Sequence, residues 1–184
     1  MASKLTLRYS GGRDGAIAPA HDHGHACCEA HRVPTQETLR AADEICLKNG
    51  VRMTPQRRAV LAALAEAKRP LGAYDLIEAL REGGTGRGPA PIAIYRALDF
   101  LRENGFIHRL ETLNAFIACP HLHGAGERVV FLICDRCHHV EEAVATPLSG
   151  ALAAVAAEHG FAATRQVVEL AGICRNCSTD LAKA

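Results

Sequence analysis

The stretches Cys134-Asp135-Arg136-Cys137 and Cys174-Arg175-Asn176-Cys177 decide the fold of the second half of this 184-residue chain. In each stretch, one turn of backbone presents both sulfurs to a single ion. Two such turns supply the four thiolates of a tetrahedral structural Zn²⁺ site. Redox-active dithiols are the alternative, but two pairs in one compact unit favour a shared metal. The sequence therefore predicts a zinc site made of Cys134, Cys137, Cys174 and Cys177.

A second and more mixed group of potential ligands surrounds the first cysteine pair. It offers nitrogen, sulfur and oxygen donors, in contrast to the all-sulfur set. Iron and manganese favour harder ligands, whereas a thiolate in a four-coordinate set favours Zn²⁺. We interpret this group as a metal sensor, and the alternative is a solvated hairpin with incidental polar residues. Its members are His108, Cys119, His121, His123 and Glu142.

Composition and charge limit the possible classes of protein. Residues 35–110 carry twelve Lys and Arg against nine Asp and Glu, whereas residues 111–184 carry five against eight. The basic half is the one expected to touch a polyanion such as DNA. No apolar run approaches the ~20 residues that cross a bilayer, so a cytoplasmic protein without a membrane partner is expected. The chain has eight cysteines. In a reducing compartment, cysteines are more often metal ligands than partners in disulfides.

The first 34 residues show neither helical nor strand periodicity, and we expect a disordered tail. The tail contains several histidines and cysteines, among them His21, His23 and Cys27. A loose metal-collecting arm is one interpretation. A solvated leader that binds metal without fixed geometry is the interpretation we favour.

Residues 35–118 predict a winged helix-turn-helix domain with a wing hairpin and a hinge. Thr54-Pro55 is a strong helix start, and Ile94, Ala97, Leu98 and Leu101 repeat with helical spacing. Two short strands then follow a glycine stop. The second helix of a helix-turn-helix enters the DNA major groove. Four helices are predicted: the first from 34 or 35 to about 50, the second from 54 or 55 to about 69, and two more over 73–81 and 91–103. Two strands are predicted over 106–110 and 114–118.

Residues 119–184 predict a small α/β unit, which makes the overall fold class α+β. The predicted elements are strands over 128–134 and 139–144, a helix from about 146 to 159, and a strand over 161–170. A unit with so few large side chains buries little area on its own. We therefore expect a dimerisation and metal-binding domain that pairs with a second copy of the chain.

Several motifs, taken in order, resemble the ferric uptake regulator family of bacterial metal-sensing repressors, and within it the zinc uptake regulator branch. The resemblance covers about Leu39 to Cys177. It rests on the two cysteine pairs and on four further motifs: Arg52-Met53-Thr54-Pro55-Gln56-Arg57, Ala73-Tyr74-Asp75-Leu76-Ile77, Ile94-Tyr95-Arg96-Ala97-Leu98-Asp99-Phe100-Leu101 and Gly105-Phe106-Ile107-His108.

The resemblance implies a zinc-loaded homodimer that binds an inverted repeat in double-stranded DNA and represses zinc-uptake genes. It implies no enzymatic activity and no small-molecule substrate. Its regulatory ligands match His108, Cys119 and Glu142, with Zn²⁺ at a structural and a regulatory site, at least two ions per protomer. The fourth regulatory ligand departs from the family pattern, and we prefer His123 over His121.

The DNA-contacting positions of zinc uptake regulators match Tyr74 and Arg96. Tyr95 lies next to Arg96 on the same helix and is expected to face outward. Arg52 and Arg57 lie at the start of a helix in the basic half of the chain, where we expect contact with phosphates. Ala93 stands where related proteins often carry Thr, so the resemblance leads us to expect one polar phosphate contact fewer. An iron or peroxide sensor of the same family is the nearest alternative function. A zinc storage or delivery protein is the alternative from a different class.

Overall fold

A computed structural model describes residues 33–67, 69–82, 88–119, 129–144, 146–163 and 166–181. In the described part, four helices come first, a two-stranded hairpin follows, and a three-stranded sheet with two helices comes last. The elements are α1 (Thr35–Lys48), α2 (Pro55–Glu66), α3 (Ala73–Glu82), α4 (Pro91–Glu103), β1 (Ile107–Leu110), β2 (Ala115–Ala118), β3 (Val129–Cys134), β4 (Val140–Val144), α5 (Thr146–Glu158), β5 (Val168–Gly172) and α6 (Arg175–Leu181). This is the predicted α+β fold, with a winged helix-turn-helix followed by a small α/β part.

Local sequence signals explain where the first helices begin and end. Thr54 caps α2 by accepting a hydrogen bond from the Arg57 N–H at 3.4 Å, and Pro55 occupies the first helical position. Helix α2 ends at Glu66, before the predicted Lys68-Arg69, because Ala67 is already extended at φ −64° and ψ 135°. Helix α4 ends as predicted, followed by Gly105 at φ +74°, a conformation that favours glycine.

Helix α4 has one buried face and one exposed face. Ile94, Ala97, Leu98 and Leu101 are at most 2% exposed and join the core built from α1 to α4 and the hairpin. Positions with the same spacing on the opposite face, among them Tyr95 and Arg96, are exposed. The core therefore fixes the helix and leaves an entire side of it available to a partner.

The wing is an antiparallel hairpin in which His108 of β1 pairs with Ile117 of β2. An isolated bridge from Leu71 to Phe116 ties the hairpin to the helices. Asn114 adopts φ +46° in the hairpin turn, a conformation that Asn tolerates better than most residues. The wing is thus attached to the helical core at its β2 side.

The C-terminal sheet has the strand order β4-β3-β5, with β4 antiparallel and β5 parallel to the central β3. The prediction that a strand spans 161–170 was wrong in its bounds. The parallel register pairs Val130 with Val168, so pairing with β3 determines where β5 begins, and Phe161 is 69% exposed outside it. Helix α6 was not predicted at all.

The predicted tail falls almost entirely outside the described residues, which begin at Val33. Within the described segments, no helix is both long and apolar enough to span a bilayer.

The two faces of α4 make a prediction about stability. Replacing Leu98 by Ala should lower the free energy of unfolding by about 2–5 kcal/mol, because it leaves a cavity under the helix. Denaturant unfolding of the two proteins, each loaded with metal to the same content, measures this difference. A loss below about 1 kcal/mol would contradict the packing described here.

Candidate metal centres and nucleic-acid interface

The all-cysteine centre lies where two parallel strands end. Strand β3 runs into Cys134 and the turn that carries Cys137, while β5 is followed at once by Cys174 and then Cys177 in α6. Because β3 and β5 are parallel neighbours, with Cys134 opposite Gly172, their carboxyl ends lie at the same edge of the sheet. The Asp135 N–H donates to the Gly172 carbonyl oxygen at 2.8 Å and joins the two turns.

The four sulfurs have the spacing of a tetrahedral zinc site. All four lie within 4.8 Å of one another, and Cys137 Sγ lies 3.8 Å from Cys174 Sγ. Four Zn–S bonds of about 2.3 Å in a tetrahedron place neighbouring sulfurs about 3.8 Å apart. A disulfide would bring two sulfurs to about 2.05 Å, and all four of these cysteines are free. The donor set therefore fits Zn²⁺.

The backbone around this centre favours a thiolate at Cys134. Burial works against ionisation, yet N–H groups of Cys137, Cys174 and Arg136 point at the sulfur and lower the pKa of Cys134 to about 6. The Cys174 N–H contact is 3.4 Å long. Burial raises the pKa of the Cys137 thiol, and burial together with the neighbouring sulfurs raises that of Cys177. The site thus contains one thiol that ionises readily and two that do not. A bound cation would favour the thiolate form of all of them.

The mixed centre joins three separate segments of the chain. His108 lies in β1 of the wing, Cys119 directly follows β2, and Glu142 lies in β4 of the C-terminal sheet. One donor atom from each residue lies within 4.8 Å of the others. His108 Nε2 is 3.7 Å from Glu142 Oε1, and Cys119 is fully buried. A nitrogen, a thiol sulfur and a carboxylate oxygen in a largely buried site fit a zinc ion.

Phe131 packs against His108, one of the ligands of the mixed centre. Its ring is 4% exposed and lies against the His108 imidazole, with the ring centroids 5.1 Å apart and the planes tilted by 57°. Phe131 is opposite Glu142 in the β3–β4 register, so both side chains are on the same face of the sheet. No role for Phe131 was predictable from the sequence, since an apolar residue in a strand gives no such signal.

The fourth ligand of the mixed centre cannot be placed by the geometry, because His121 and His123 both lie outside the described residues. The choice of His123 over His121 therefore stays a prediction. Two further histidines lie in described turns: His138 adopts φ +56° in the turn after Cys137, and His159 follows the end of α5.

Four of the five predicted DNA-contacting side chains are exposed. Tyr74, near the start of α3, is 77% exposed, and Tyr95 on α4 is 46% exposed. Arg96 lies beside Tyr95 on the outer face of α4, and Arg52 precedes α2. Exposed aromatic and Arg side chains at helix starts can contact phosphates and base edges.

Arg57 differs from the other four residues. Its guanidinium lies 3.5 Å from the centroid of the Phe100 ring, and its Nη1 donates a hydrogen bond to the Arg52 carbonyl oxygen. A phosphate contact would have to share or replace these interactions within the domain. The neighbouring Arg58 forms an ion pair with Asp43 of α1.

Comparisons with known proteins agree with this architecture. The model of the ferric uptake regulator family matches residues 48–171. The zinc uptake regulation protein of Escherichia coli (strain K12) is 38% identical over 146 residues, which cover 79% of this chain and 84% of the relative. The peroxide operon regulator of Bacillus subtilis is 28% identical over 145 residues, covering 76% of this chain and 93% of that protein.

A solved structure of a zinc uptake regulator complexed with zinc and DNA is also similar. It has a TM-score of 0.76 at 37% identity, and the match covers 82% of this chain and 99% of that one. The crystal structure of the holo protein XcZur gives a TM-score of 0.72 at 41% identity, with coverage of 79% and 99%. The likeness thus includes both the helical half and the C-terminal sheet.

A cysteine substitution tests the all-sulfur centre. Cys177→Ser should remove about one zinc ion per chain and lower the thermal midpoint, because a hydroxyl is a poor substitute for a buried thiolate ligand. Metal analysis of the purified proteins measures the first effect and thermal unfolding the second. Cys46→Ala is the matched control, since Cys46 is equally buried but lies in the helical core. Unchanged zinc content in Cys177→Ser would contradict the assignment.

Proposed function

The chain belongs to the ferric uptake regulator family, and on that premise we propose that it is a zinc-responsive transcriptional repressor. Its zinc-loaded homodimer binds inverted-repeat operators of zinc-uptake genes and blocks their transcription. It is not an enzyme, and it acts on chromosomal DNA in the cytoplasm. The observation that carries this proposal is the convergence of His108, Cys119 and Glu142 from the wing, the hinge and the C-terminal sheet.

The proposal divides the metal ligands between two sites, with at least two Zn²⁺ ions per protomer. The structural site consists of Cys134, Cys137, Cys174 and Cys177. The regulatory site consists of His108, Cys119, Glu142 and His123, or His121 in place of His123. In the same scheme residues 1–34 are the tail, 35–118 the DNA-binding domain with its hinge, and 119–184 the dimerisation domain.

The regulatory ligands control an angle between two parts of the molecule. A bound zinc ion supplies one positive centre that donors from separate segments can share. His108 then fixes the wing against Glu142 of the sheet, while Cys119 fixes the hinge between them. Two reading helices in a dimer must lie about 34–36 Å apart, or a multiple of this distance, to enter successive major grooves. If the hinge is loose, the DNA affinity falls by the fraction of molecules with the competent spacing.

The homodimer is supported by apolar side chains that the single chain leaves exposed. Leu132 and Leu170 are paired across β3 and β5 on the face of the sheet opposite Phe131, and they are 37% and 57% exposed. Val155, Val167 and Ile173 are also at least 40% exposed. Apolar area of this kind is what a dimer interface covers.

The DNA interface is formed by Tyr74, Tyr95, Arg96 and Arg52, with Arg57 as a fifth residue that also packs within the domain. Holding two half-sites at once multiplies the contribution of each reading helix to affinity. This explains how a small exposed surface on each chain suffices for operator binding.

The alternatives differ in what the metal does. An iron or peroxide sensor of the same family would use a harder ligand set, and the buried thiol of Cys119 favours zinc. A zinc storage or delivery protein would take up metal without any effect on DNA. The outward face of α4, in a chain 37% identical to a regulator solved with zinc and DNA, favours the repressor.

A gel-shift titration with Cys119→Ser tests the regulatory site. The unaltered protein should bind an operator duplex when zinc is added and release it when a chelator is added. Cys119→Ser should need about tenfold or more zinc for the same binding, because it lacks the thiolate ligand. Competition with a chromogenic chelator should show that the zinc affinity of the regulatory site is lower by a similar factor. The same zinc affinity in both proteins would refute the assignment.

Arg96→Ala tests the reading face of α4. The substitution should weaken binding of the zinc-loaded protein to its operator by about 5-fold or more, since one Arg contact to a base edge contributes about 1–3 kcal/mol. Zinc content and unfolding free energy should stay unchanged, because Arg96 is exposed. Arg102→Ala, further along α4 and paired with Asp99, is the control with the same loss of charge. Equal effects of the two substitutions would argue against a specific role for Arg96.

A further inference from the structure

We propose that Glu169 is a positioning residue of the regulatory site. Its carboxylate holds the turn of the wing hairpin against the C-terminal sheet and so places His108 opposite Glu142 before any metal binds. Glu169 is not a metal ligand in this scheme, and the inference rests on the proposed function of that site.

Three hydrogen bonds from the wing turn converge on the Glu169 carboxylate. The Glu111 N–H donates to Oε1 at 2.6 Å, and the Thr112 N–H donates to Oε2 at 3.0 Å. The Thr112 hydroxyl also donates to Oε2. Such bonds to an ionised acceptor are stronger than those between neutral groups. A single side chain of β5 therefore satisfies two backbone amides in the turn between β1 and β2.

The sheet register explains why Glu169 and the regulatory site act on the same hairpin. Phe131 in the central strand is opposite Glu142 on one side and Glu169 on the other. Side chains directly opposite one another lie on the same face of a sheet. The row Glu142-Phe131-Glu169 thus presents two carboxylates and a ring to the wing. Glu142 lies beside His108, Phe131 packs on the His108 ring, and Glu169 binds the turn.

The two attachment points are far enough apart to determine the orientation of the hairpin. His108 and Glu111 are three residues apart along β1 and its turn, which corresponds to about 10 Å of extended chain. Apolar contacts of Leu110, Leu113 and Ile117 also hold the hairpin on the sheet. The hydrogen bonds to Glu169 add directional contacts at the turn, and these favour the orientation in which the three described ligand atoms lie close together.

This arrangement predicts how the loss of Glu169 would appear. The apparent metal affinity of a site equals its intrinsic affinity multiplied by the fraction of molecules in the binding-competent arrangement. The bonds to Glu169 are partly exposed to solvent, so their removal should reduce that fraction by about three- to tenfold. Zinc at saturating concentration would restore the arrangement, and the DNA affinity of the fully loaded protein would stay within about twofold of normal.

The experiment uses Glu169→Ala in the full-length protein that retains its structural zinc. Zinc affinity of the regulatory site is measured by competition with a chromogenic chelator, and DNA affinity by gel shift at saturating zinc. We expect zinc affinity to fall by about three- to tenfold. Glu44→Ala is the control with the same loss of charge, because the Glu44 side chain is 71% exposed on α1 and belongs to neither the wing nor the C-terminal sheet. This control should leave zinc affinity unchanged.

Thr112→Val is the second variant, made on the wing side of the same contact. It removes the hydroxyl donor but keeps both amides, so the fall in zinc affinity should be smaller than in Glu169→Ala. Because Thr112 is exposed, this variant tests the contact without disturbing the sheet. Wild-type zinc affinity in both variants would overturn the inference.

Amide hydrogen exchange gives a measurement that does not depend on zinc binding or on DNA. With the regulatory site stripped by mild chelation, the amides of Glu111 and Thr112 should exchange faster in Glu169→Ala than in the unaltered protein. Equal rates would overturn the inference and leave the proposed function untouched. If the unaltered protein bound its operator equally with and without zinc, the proposed function would fail, while the exchange rates would still report on the contact.

Discussion

The packing of the wing hairpin on the C-terminal sheet joins the helical half of the chain to the C-terminal part. It is made by a small apolar cluster in which Leu110, Phe131 and Ile133 are buried, with Leu113 and Ile117 packed against them. Burying one such side chain contributes about 1.5–3 kcal/mol, and ordering the segments that carry it offsets much of that. Because the cluster is small, polar interactions between the wing and the sheet can contribute substantially to how the two are oriented.

The two metal centres differ in how their ligands are held. The cysteine turns follow neighbouring parallel strands and are joined by backbone hydrogen bonds, so their geometry is fixed by the sheet itself. The mixed centre draws its ligands from elements that belong to different sheets. In the proposed function, a metal in the first centre would stabilise the sheet that forms around it. A metal in the second would act between two separate sheets, an arrangement that suits reversible regulation.

Much of the fold was predictable from local patterns, because the signals for the helices lie within the helices. The bounds of α4 follow from Pro91 and the glycine after it, and the cysteine pairs indicate their own geometry. The start of β5 was not predictable, since it depends on the register with β3. The roles of Phe131 and Glu169 were missed for the same reason: only strand pairing places them in one row beneath the wing. Arg57 was predicted to face DNA, and its contact with Phe100 depends on how α2 packs beside α4.

The parallel pairing of β3 and β5 has a consequence for how a bound metal would act on the C-terminal sheet. Cys134 and Cys174 are 40 residues apart in sequence, and strand β4 and helix α5 lie between them. A metal held by all four sulfurs would therefore close a long ring of chain, and a ring of this length removes conformational entropy from the unfolded ensemble. Both turns are needed at once, since neither turn alone offers more than two sulfurs. Such a metal would tie the ends of β3 and β5 together and oppose separation of the two strands.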